Sequence, residues 1–417
     1  MSDVVRRQYE SYPYPLRGPE DDAAFLESHS PLESLRLLSS VAYGGRLDLT
    51  RPVSILVAGG GTGDAALLLG HQLRSLGNAG RVVYLDLSAA SRDIARARAL
   101  HAGLDNIEFR LGSLLDVAEL APGPFDYINC SGVLHHLPDP EAGARALATV
   151  LAPGGALGAM VYGEVGRVGV YHAQQLLELL GAGLALPDRV ALARTVLAQD
   201  GPAWLQRNEA LRYVPHLSDA EVVDRFLHPQ DRAYTVPQVR GLMAAAGLQV
   251  VDLLPSLMYD TARLPLDPSV RTQLNALPRF ERYAAVELLS GTIATHSWFA
   301  VPADRALPPS PELTPDVVPH LLLAIHEELA AQTSAGSLSL KLGSLEVRAP
   351  VQPSPIAALA LRLMDGRTSL GAMRAALRVH SGRELPWPGF AHALAGVFGL
   401  LVSAGLLALE RPGGEAG

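Results

Sequence analysis

Apolar positions along this chain follow two rhythms. Short β-branched runs alternate with longer stretches in which Leu, Ala and Val recur every three or four residues, and this alternation predicts parallel strands joined by helices. The runs at 55–58, 81–86, 107–111, 125–130, 156–162, 248–254 and 296–301 read as seven strands. Helical periodicity falls at 64–76 and 89–101, and again after Thr235, a capping residue, up to Ala246 and Gly247. Between the fifth and sixth runs the apolar spacing turns helical from 163 to 231, as in Gln174-Gln175-Leu176-Leu177-Glu178-Leu179-Leu180, which predicts an inserted cap of packed helices. A second helical insertion is expected at about 266–290.

The first strand runs into Ala58-Gly59-Gly60-Gly61-Thr62-Gly63-Asp64, a glycine turn that lets backbone approach a ligand closely and opens a helix. The next strand ends in Asp86, about 20 residues past the glycines, where a carboxylate can accept from two ribose hydroxyls. Two further motifs follow in order. Gly132-Val133-Leu134-His135-His136-Leu137-Pro138-Asp139-Pro140 comes after the fourth strand, and Leu151-Ala152-Pro153-Gly154-Gly155 precedes the fifth. Over roughly a hundred residues this set resembles the class I S-adenosylmethionine-dependent methyltransferases. The resemblance implies an α/β, Rossmann-like sheet of seven strands with the last antiparallel, and methyl transfer from a sulfonium to a nucleophile by in-line displacement.

The same resemblance distributes roles. Ala58, Gly59, Gly60, Gly61 and Gly63 would pass close to the methionine moiety of S-adenosylmethionine, and Asp86 would hold its ribose, with Leu87 and Ser88 at the adenine. Gly112, Ser113 and Leu114 after the third strand stand where many members carry an acid for the adenine amine, so either Ser113 serves or Asp116 reaches in. Cys130, Ser131, Gly132 and His135 would flank the methyl donor. Asp64 either meets the cofactor's amino group or stabilises the helix N-terminus. His135 or His136 could take a proton from the acceptor, or the pair only shapes the loop; Glu164 and His172 are the other candidate bases. Tyr162, Arg167 and Tyr171, just past the fifth strand, are candidate acceptor contacts. Tyr9, Tyr12 and Tyr14 in the N-terminal Tyr-Glu-Ser-Tyr-Pro-Tyr-Pro segment either line the site, as N-terminal segments do in many members, or pack the preamble onto the core.

Composition widens the picture beyond one domain. At 417 residues, with 48% apolar and 18% charged residues, the chain has core enough for two or three domains. The expected order is a helical preamble (1–50), the first part of the core (51–162), the cap (163–233), completion of the core (234–302), a linker (303–319) holding most of the six prolines found in 302–319, and a smaller α+β, winged-helix-like accessory domain (320–417). In that last part helices are expected at 315–332, 355–364 and 368–379 and a strand pair at 338–348. The stretch 385–409 lacks Asp, Glu, Lys and Arg, but its interrupting Pro and Gly favour a buried helix, a Gly cap and a short strand over a membrane span. The net charge of −8, and nine basic against ten acidic residues after 302 despite a stripe of Arg362, Arg367, Arg374, Arg378 and Arg383, argue against nucleic acid. One cysteine, Cys130, permits no internal disulfide, and no metal is expected. With no apolar leader in the first ten residues, a cytoplasmic protein is expected, and a homodimer is allowed.

The acceptor expected is an oxygen or nitrogen of a protein, a peptide or a small metabolite; in architecture the accessory domain resembles that of bacterial protein-lysine methyltransferases with a regulatory segment. The alternative is a catalytically inert module that binds S-adenosylmethionine or S-adenosylhomocysteine and acts through protein contacts of its C-terminal domain.

Overall fold

The computed structural model describes residues 3–19, 25–26, 30–199, 216–309, 312–342, 345–381 and 384–411. Seven strands form one sheet: β1 (Ser54–Ala58), β2 (Arg81–Asp86), β3 (Ile107–Leu111), β4 (Phe125–Ser131), β5 (Leu151–Tyr162), β6 (Leu248–Leu254) and β7 (Thr295–Pro302), in the spatial order β3-β2-β1-β4-β5-β7-β6. The first five pair in parallel, and β7 runs antiparallel to β5, from Leu157 opposite Ala300 to Tyr162 opposite Thr295. The order reverses direction between β1 and β4, so the C-terminal ends of those strands open a crevice, the usual ligand position of such sheets. β1 and β2 are buried almost throughout, as continuous apolar runs covered on both faces should be.

Helix starts carry the expected caps. Ser88 Oγ accepts from Ser91 N–H ahead of Ala89–His101, Asp139 Oδ1 accepts from Ala142 N–H ahead of Pro140–Val150, and Ser218 with Glu221 forms a capping box ahead of Asp219–Phe226. One strand begins earlier than its sequence reads. Leu151 already pairs with Phe125, and the Pro153-Gly154-Gly155 turn is absorbed as an irregularity before Ala156 pairs with Tyr127. The described part of the cap supplies the helices Val168–Leu180, Leu186–Leu197 and Asp219–Phe226, packed on a core that includes Val170, Leu177, Val190, Val223 and Phe226; residues 200–215 of the expected cap lie outside the described residues.

The chain divides into two compact units, one of Met1–Glu27, Thr50–Val250 and Thr272–Arg305, the other of Ser28–Leu49, Val251–Arg271 and Ala306–Gly417. In the second, β8 (Val318–Leu321) stands where a helix at 315–332 was expected; the helix starts only at His326. Pro315 and Pro319 interrupt helical bonding there, and the segment pairs instead with β11 (Leu407–Glu410), its partner some 90 residues on. Between them lie a hairpin of β9 (Ser337–Leu342) and β10 (Leu345–Pro350) and the helices Pro355–Arg362, Leu370–Ser381 and Trp387–Ser403. The last turns Phe390, Leu394, Val397, Phe398 and Leu401 into the core and ends before Gly405 in left-handed conformation, so the uncharged stretch is a one-sided helix, a glycine stop and a strand. Among the described residues no helix is long and apolar enough to cross a membrane. Arg383 of the basic stripe lies outside the described residues. Glu410 Oε2 accepts from Arg36 (2.6 Å) and pairs with His320 (2.8 Å), which ties Leu35–Ala42 into this unit.

Candidate active site

The glycine turn leaves β1 with Gly59, Gly61 and Gly63 all at positive φ, which side-chain-bearing residues rarely adopt. A Cβ would also strike the protein itself: Val133 at 2.3 Å from Gly59, the Tyr14 carbonyl at 2.6 Å from Gly61, and Ala95 at 2.9 Å from Gly63. These glycines are therefore required by conformation and by the chain's own packing, and any ligand meets their backbone. Gly60 lies against the Tyr84 ring, whose hydroxyl donates to the Gly61 carbonyl (2.6 Å).

Asp86 ends β2 and is 8% exposed. One oxygen accepts from Gly61 N–H and the other from Ser88 N–H, both at 2.8 Å. Burial pushes its pKa above the ordinary carboxylate range, the backbone donors of Ser88, Gly61 and Leu87 oppose that, and the nearby Glu10 carboxylate adds to it. Each carboxylate oxygen keeps a lone pair for a further donor.

The N-terminal segment fastens directly onto this turn. Thr62 donates its N–H to the Tyr14 carbonyl (3.3 Å) and its hydroxyl to the Pro15 carbonyl (2.6 Å), while Glu10 accepts from Ala89 and Ala90 N–H (2.7 and 3.1 Å), a carboxylate at a helix N-terminus. Ser88 Oγ donates to the Tyr9 carbonyl. The Tyr9 side chain then reaches the cap, where its hydroxyl donates to Asp224 Oδ1 (2.9 Å); the Tyr162 hydroxyl donates to Asp224 Oδ2 (3.0 Å). Burial, and next the Asp224 charge, raise both phenols, which stay protonated donors.

Around this carboxylate stand three imidazoles. His136 Nδ1 faces the Gln230 carbonyl (2.9 Å) and so carries the proton, whereas His228 Nδ1 accepts from Gln230 N–H, leaving its Nε2–H for the Tyr9 oxygen at 3.3 Å. His135 is fully buried between His136 and Tyr162, ring centroids 4.0 and 4.1 Å away, and among the described residues neither of its nitrogens has a hydrogen-bond partner. Burial first, then the neighbouring His136 and Arg167, lower its affinity for a proton well below the usual imidazole range; burial and His136 take His228 to about 2. Both rings are uncharged at neutral pH.

That asymmetry has a thermodynamic consequence. Below about pH 6.5 the unfolded chain protonates both rings and the native state does not, so the unfolded state binds more protons and stability falls as pH drops through that value. Thermal melts at pH 5.5 are expected to lie below those at pH 7.5, with about 1 kcal/mol from each ring, and His228→Gln is expected to narrow the gap. An unchanged gap in that variant contradicts the assignment.

Arg167 completes the cluster. It is 5% exposed, stacks over the Tyr162 ring at 3.5 Å and lies 3.7 Å from Asp231 Oδ2, which accepts from Gln174 at 3.0 Å. His135, His136 and Asp231, and likewise His136, Asp224 and His228, bring metal-ligand atoms within 4.8 Å of one another. In the second set the phenols occupy Asp224 and a proton occupies His228 Nε2; in the first the positive charge beside Asp231 is the guanidinium itself.

The other expected residues fall into two groups. Tyr9, Tyr162, Arg167, His135 and His136 come together, with Tyr171 5.8 Å from the guanidinium. Glu164 and His172 are exposed, and His172 Nδ1 bonds the Val168 carbonyl of its own helix. Tyr12 packs on the cap core. Asp64 is held by Arg98 (2.7 Å) and Arg17 (3.3 Å), Ser113 Oγ caps the short turn at Leu115, and Asp116 lies in that turn. Burial pushes the Cys130 thiol up to about 12. Asp224, His228 and Asp231 were not foreseen; their spacing by four and three, across the end of Asp219–Phe226 and the turn that follows, was the available signal. Glu10 and Tyr84 were missed too.

A model of a methyltransferase domain matches residues 56–157, the part that holds the glycine turn, Asp86 and the His135 loop. The chain is 33% identical over 309 residues to the uncharacterized protein syc1184_c of Synechococcus, covering 72% of this chain and 71% of that one. It belongs to the class I S-adenosylmethionine-dependent methyltransferases. This methyltransferase is also 35% identical over 127 residues to the ubiquinone biosynthesis O-methyltransferase of Xanthomonas euvesicatoria, covering 30% of this chain and half of that enzyme. In fold it is similar to PKMT2 from Rickettsia typhi in complex with AdoHcy, at a TM-score of 0.66 and 16% identity, over 95% of this chain and 77% of that one. The cofactor of the methyltransferase is S-adenosylmethionine, and the residues present fit it: a glycine turn whose backbone is the only part free to meet a ligand, a buried carboxylate at the end of β2, and buried polar atoms without partners on His135, Arg167 and Asp231. Bound there, the cofactor supplies an electrophilic methyl group; this chain's part is to position both reactants and exclude water.

Proposed function

We propose that this enzyme methylates amine nitrogen, a lysine side chain of a protein being the acceptor that suits the site best. The observation that carries the reading is Asp224, 4% exposed and held between the phenols of Tyr9 and Tyr162, in a chamber where the His135 and His228 rings are uncharged. Aromatic faces and a carboxylate attract an ammonium ion, and the methylated product is again a cation. A hydroxyl acceptor needs a base poised near the working pH. Here His135 and His228 are held far below it. An amine brings its own lone pair once its proton has left to water, and neutral His135 can then accept one of its N–H groups and aim the pair. In this reading Asp86 and the glycine turn hold the cofactor, Tyr9 and Tyr14 close over it, and the C-terminal unit docks or regulates the protein substrate. Support for a protein acceptor comes from a fold likeness to PKMT2 that takes in 95% of the chain, both units included, and from the resemblance to bacterial protein-lysine methyltransferases.

A hydroxyl acceptor is favoured by one observation, the 127-residue match to a ubiquinone O-methyltransferase. Incubation with methyl-labelled S-adenosylmethionine and, in parallel, lysine-rich proteins, serine- and tyrosine-bearing peptides and a catechol separates the two. Label on lysine nitrogen, located by fragment mass spectrometry and increasing in rate from pH 7 to 9, is the expected result. Label confined to hydroxyl acceptors overturns the amine reading, and no transfer to any acceptor favours a binding module.

A further inference from the structure

The mechanism above leaves a pair of buried opposite charges unaccounted for. The Arg167 side chain is 6% exposed and the Asp231 side chain 2%, yet their closest approach is 3.7 Å, beyond a hydrogen bond. Among the described residues Arg167 Nε and Nη2, Asp231 Oδ1 and the nearby Tyr171 hydroxyl have no hydrogen-bond partner. Buried charged groups left without partners are costly, so a site that keeps two free donors on a guanidinium and one free acceptor on a carboxylate is shaped for something that satisfies both. Both groups are held in place from outside: Gln174 Nε2 donates to Asp231 Oδ2, and the guanidinium carbon lies over the Tyr162 ring, 3.5 Å from its centroid. The pattern of two adjacent donors on a cation beside one acceptor on an anion is the complement of an α-amino acid zwitterion, whose carboxylate takes the fork and whose ammonium takes the carboxylate oxygen.

We infer that Arg167 and Asp231 form a zwitterion clamp for the methionyl end of S-adenosylmethionine, Arg167 binding its α-carboxylate and Asp231 its α-ammonium. The cluster adjoins the cofactor turn. His135, between Tyr162 and His136, sits two residues past Val133, which packs against Gly59, and the Tyr14 carbonyl that accepts from Thr62 belongs to a residue whose phenol senses the Arg167 charge. Arg167, expected from its place after β5 to contact the acceptor, has orphaned donors that fit the methyl donor instead. A free amino acid offers the same zwitterion, and the test distinguishes the two sources.

Calorimetric titrations of the full chain with S-adenosylhomocysteine, its α-methyl ester, 5′-methylthioadenosine and glycine make that test. Methylthioadenosine keeps the nucleoside and lacks the amino acid, so it reads the Asp86 side of the site alone. In the native protein the ester is expected to bind about 10- to 100-fold more weakly than the acid. Arg167→Met and Asp231→Asn are each expected to weaken S-adenosylhomocysteine by about the same factor while methylthioadenosine stays within about twofold, which also shows that the variants fold. Equal affinity of native protein for acid and ester overturns the clamp without reference to any variant. So does S-adenosylhomocysteine binding that survives both substitutions, including the case in which only glycine binding is lost, which assigns the pair to an amino acid acceptor.

Discussion

Asp86→Ala is expected to weaken binding of S-adenosylhomocysteine at least about 100-fold, the largest effect of any single change on the cofactor side. Two contributions add. In the proposed site the carboxylate at the end of β2 accepts from the ribose hydroxyls, and hydrogen bonds to a charged group are worth about 1.5–3 kcal/mol each. Its oxygens also receive Gly61 and Ser88 N–H, so the substitution frees the glycine turn on one side and the start of Ala89–His101 on the other. Asp86→Asn keeps one acceptor oxygen and is expected to fall between native protein and alanine. Calorimetry, with circular dichroism to verify folding, checks the order; an alanine variant that binds like the native protein contradicts the ribose assignment.

Asp224→Asn is expected to act on turnover. The amide has one acceptor oxygen for the two phenols of Tyr9 and Tyr162, and its NH2 group must face a phenol that has only been a donor. The chamber loses its negative charge and the fixed orientation of both rings. With whichever acceptor takes the label, kcat is expected to drop about 100-fold, the scale of losing one preorganised polar group, while affinity for S-adenosylhomocysteine moves only a few-fold because Asp86 and the glycine turn are untouched. A parallel fall in cofactor affinity contradicts the division of labour between the two carboxylates. Tyr9→Phe and Tyr162→Phe, each removing one donor, are expected to lose less than Asp224→Asn.

Much of the fold was legible because its signals are local. Ala89–His101, Ile107–Leu111 and Leu248–Leu254 stand where periodicity placed them, since a cap, a β-branched run or a glycine stop within a few residues defines each. The strand Val318–Leu321 was not legible: what makes it a strand is pairing with Leu407–Glu410, and no local pattern announces a partner that distant. The site divides in the same way. Gly59 to Gly63, Asp86 and His135 belong to contiguous motifs with a known spacing. Asp224 and Asp231 reach the site only because the cap folds back on β5, and from sequence they read as polar positions on amphipathic helices. His172, which follows β5 as closely as Tyr171 does, is turned by helical geometry to bond its own backbone.

The decisive measurement is a crystal structure of the full chain with S-adenosylhomocysteine. The ribose is expected on Asp86, the backbone of Gly59–Gly61 along the ligand, the α-carboxylate on Arg167 with the ammonium on Asp231, and the thioether sulfur facing the chamber of Tyr9, Tyr162 and Asp224. A nucleoside held away from Asp86, or an amino acid end pointing away from Arg167 toward solvent, contradicts this arrangement.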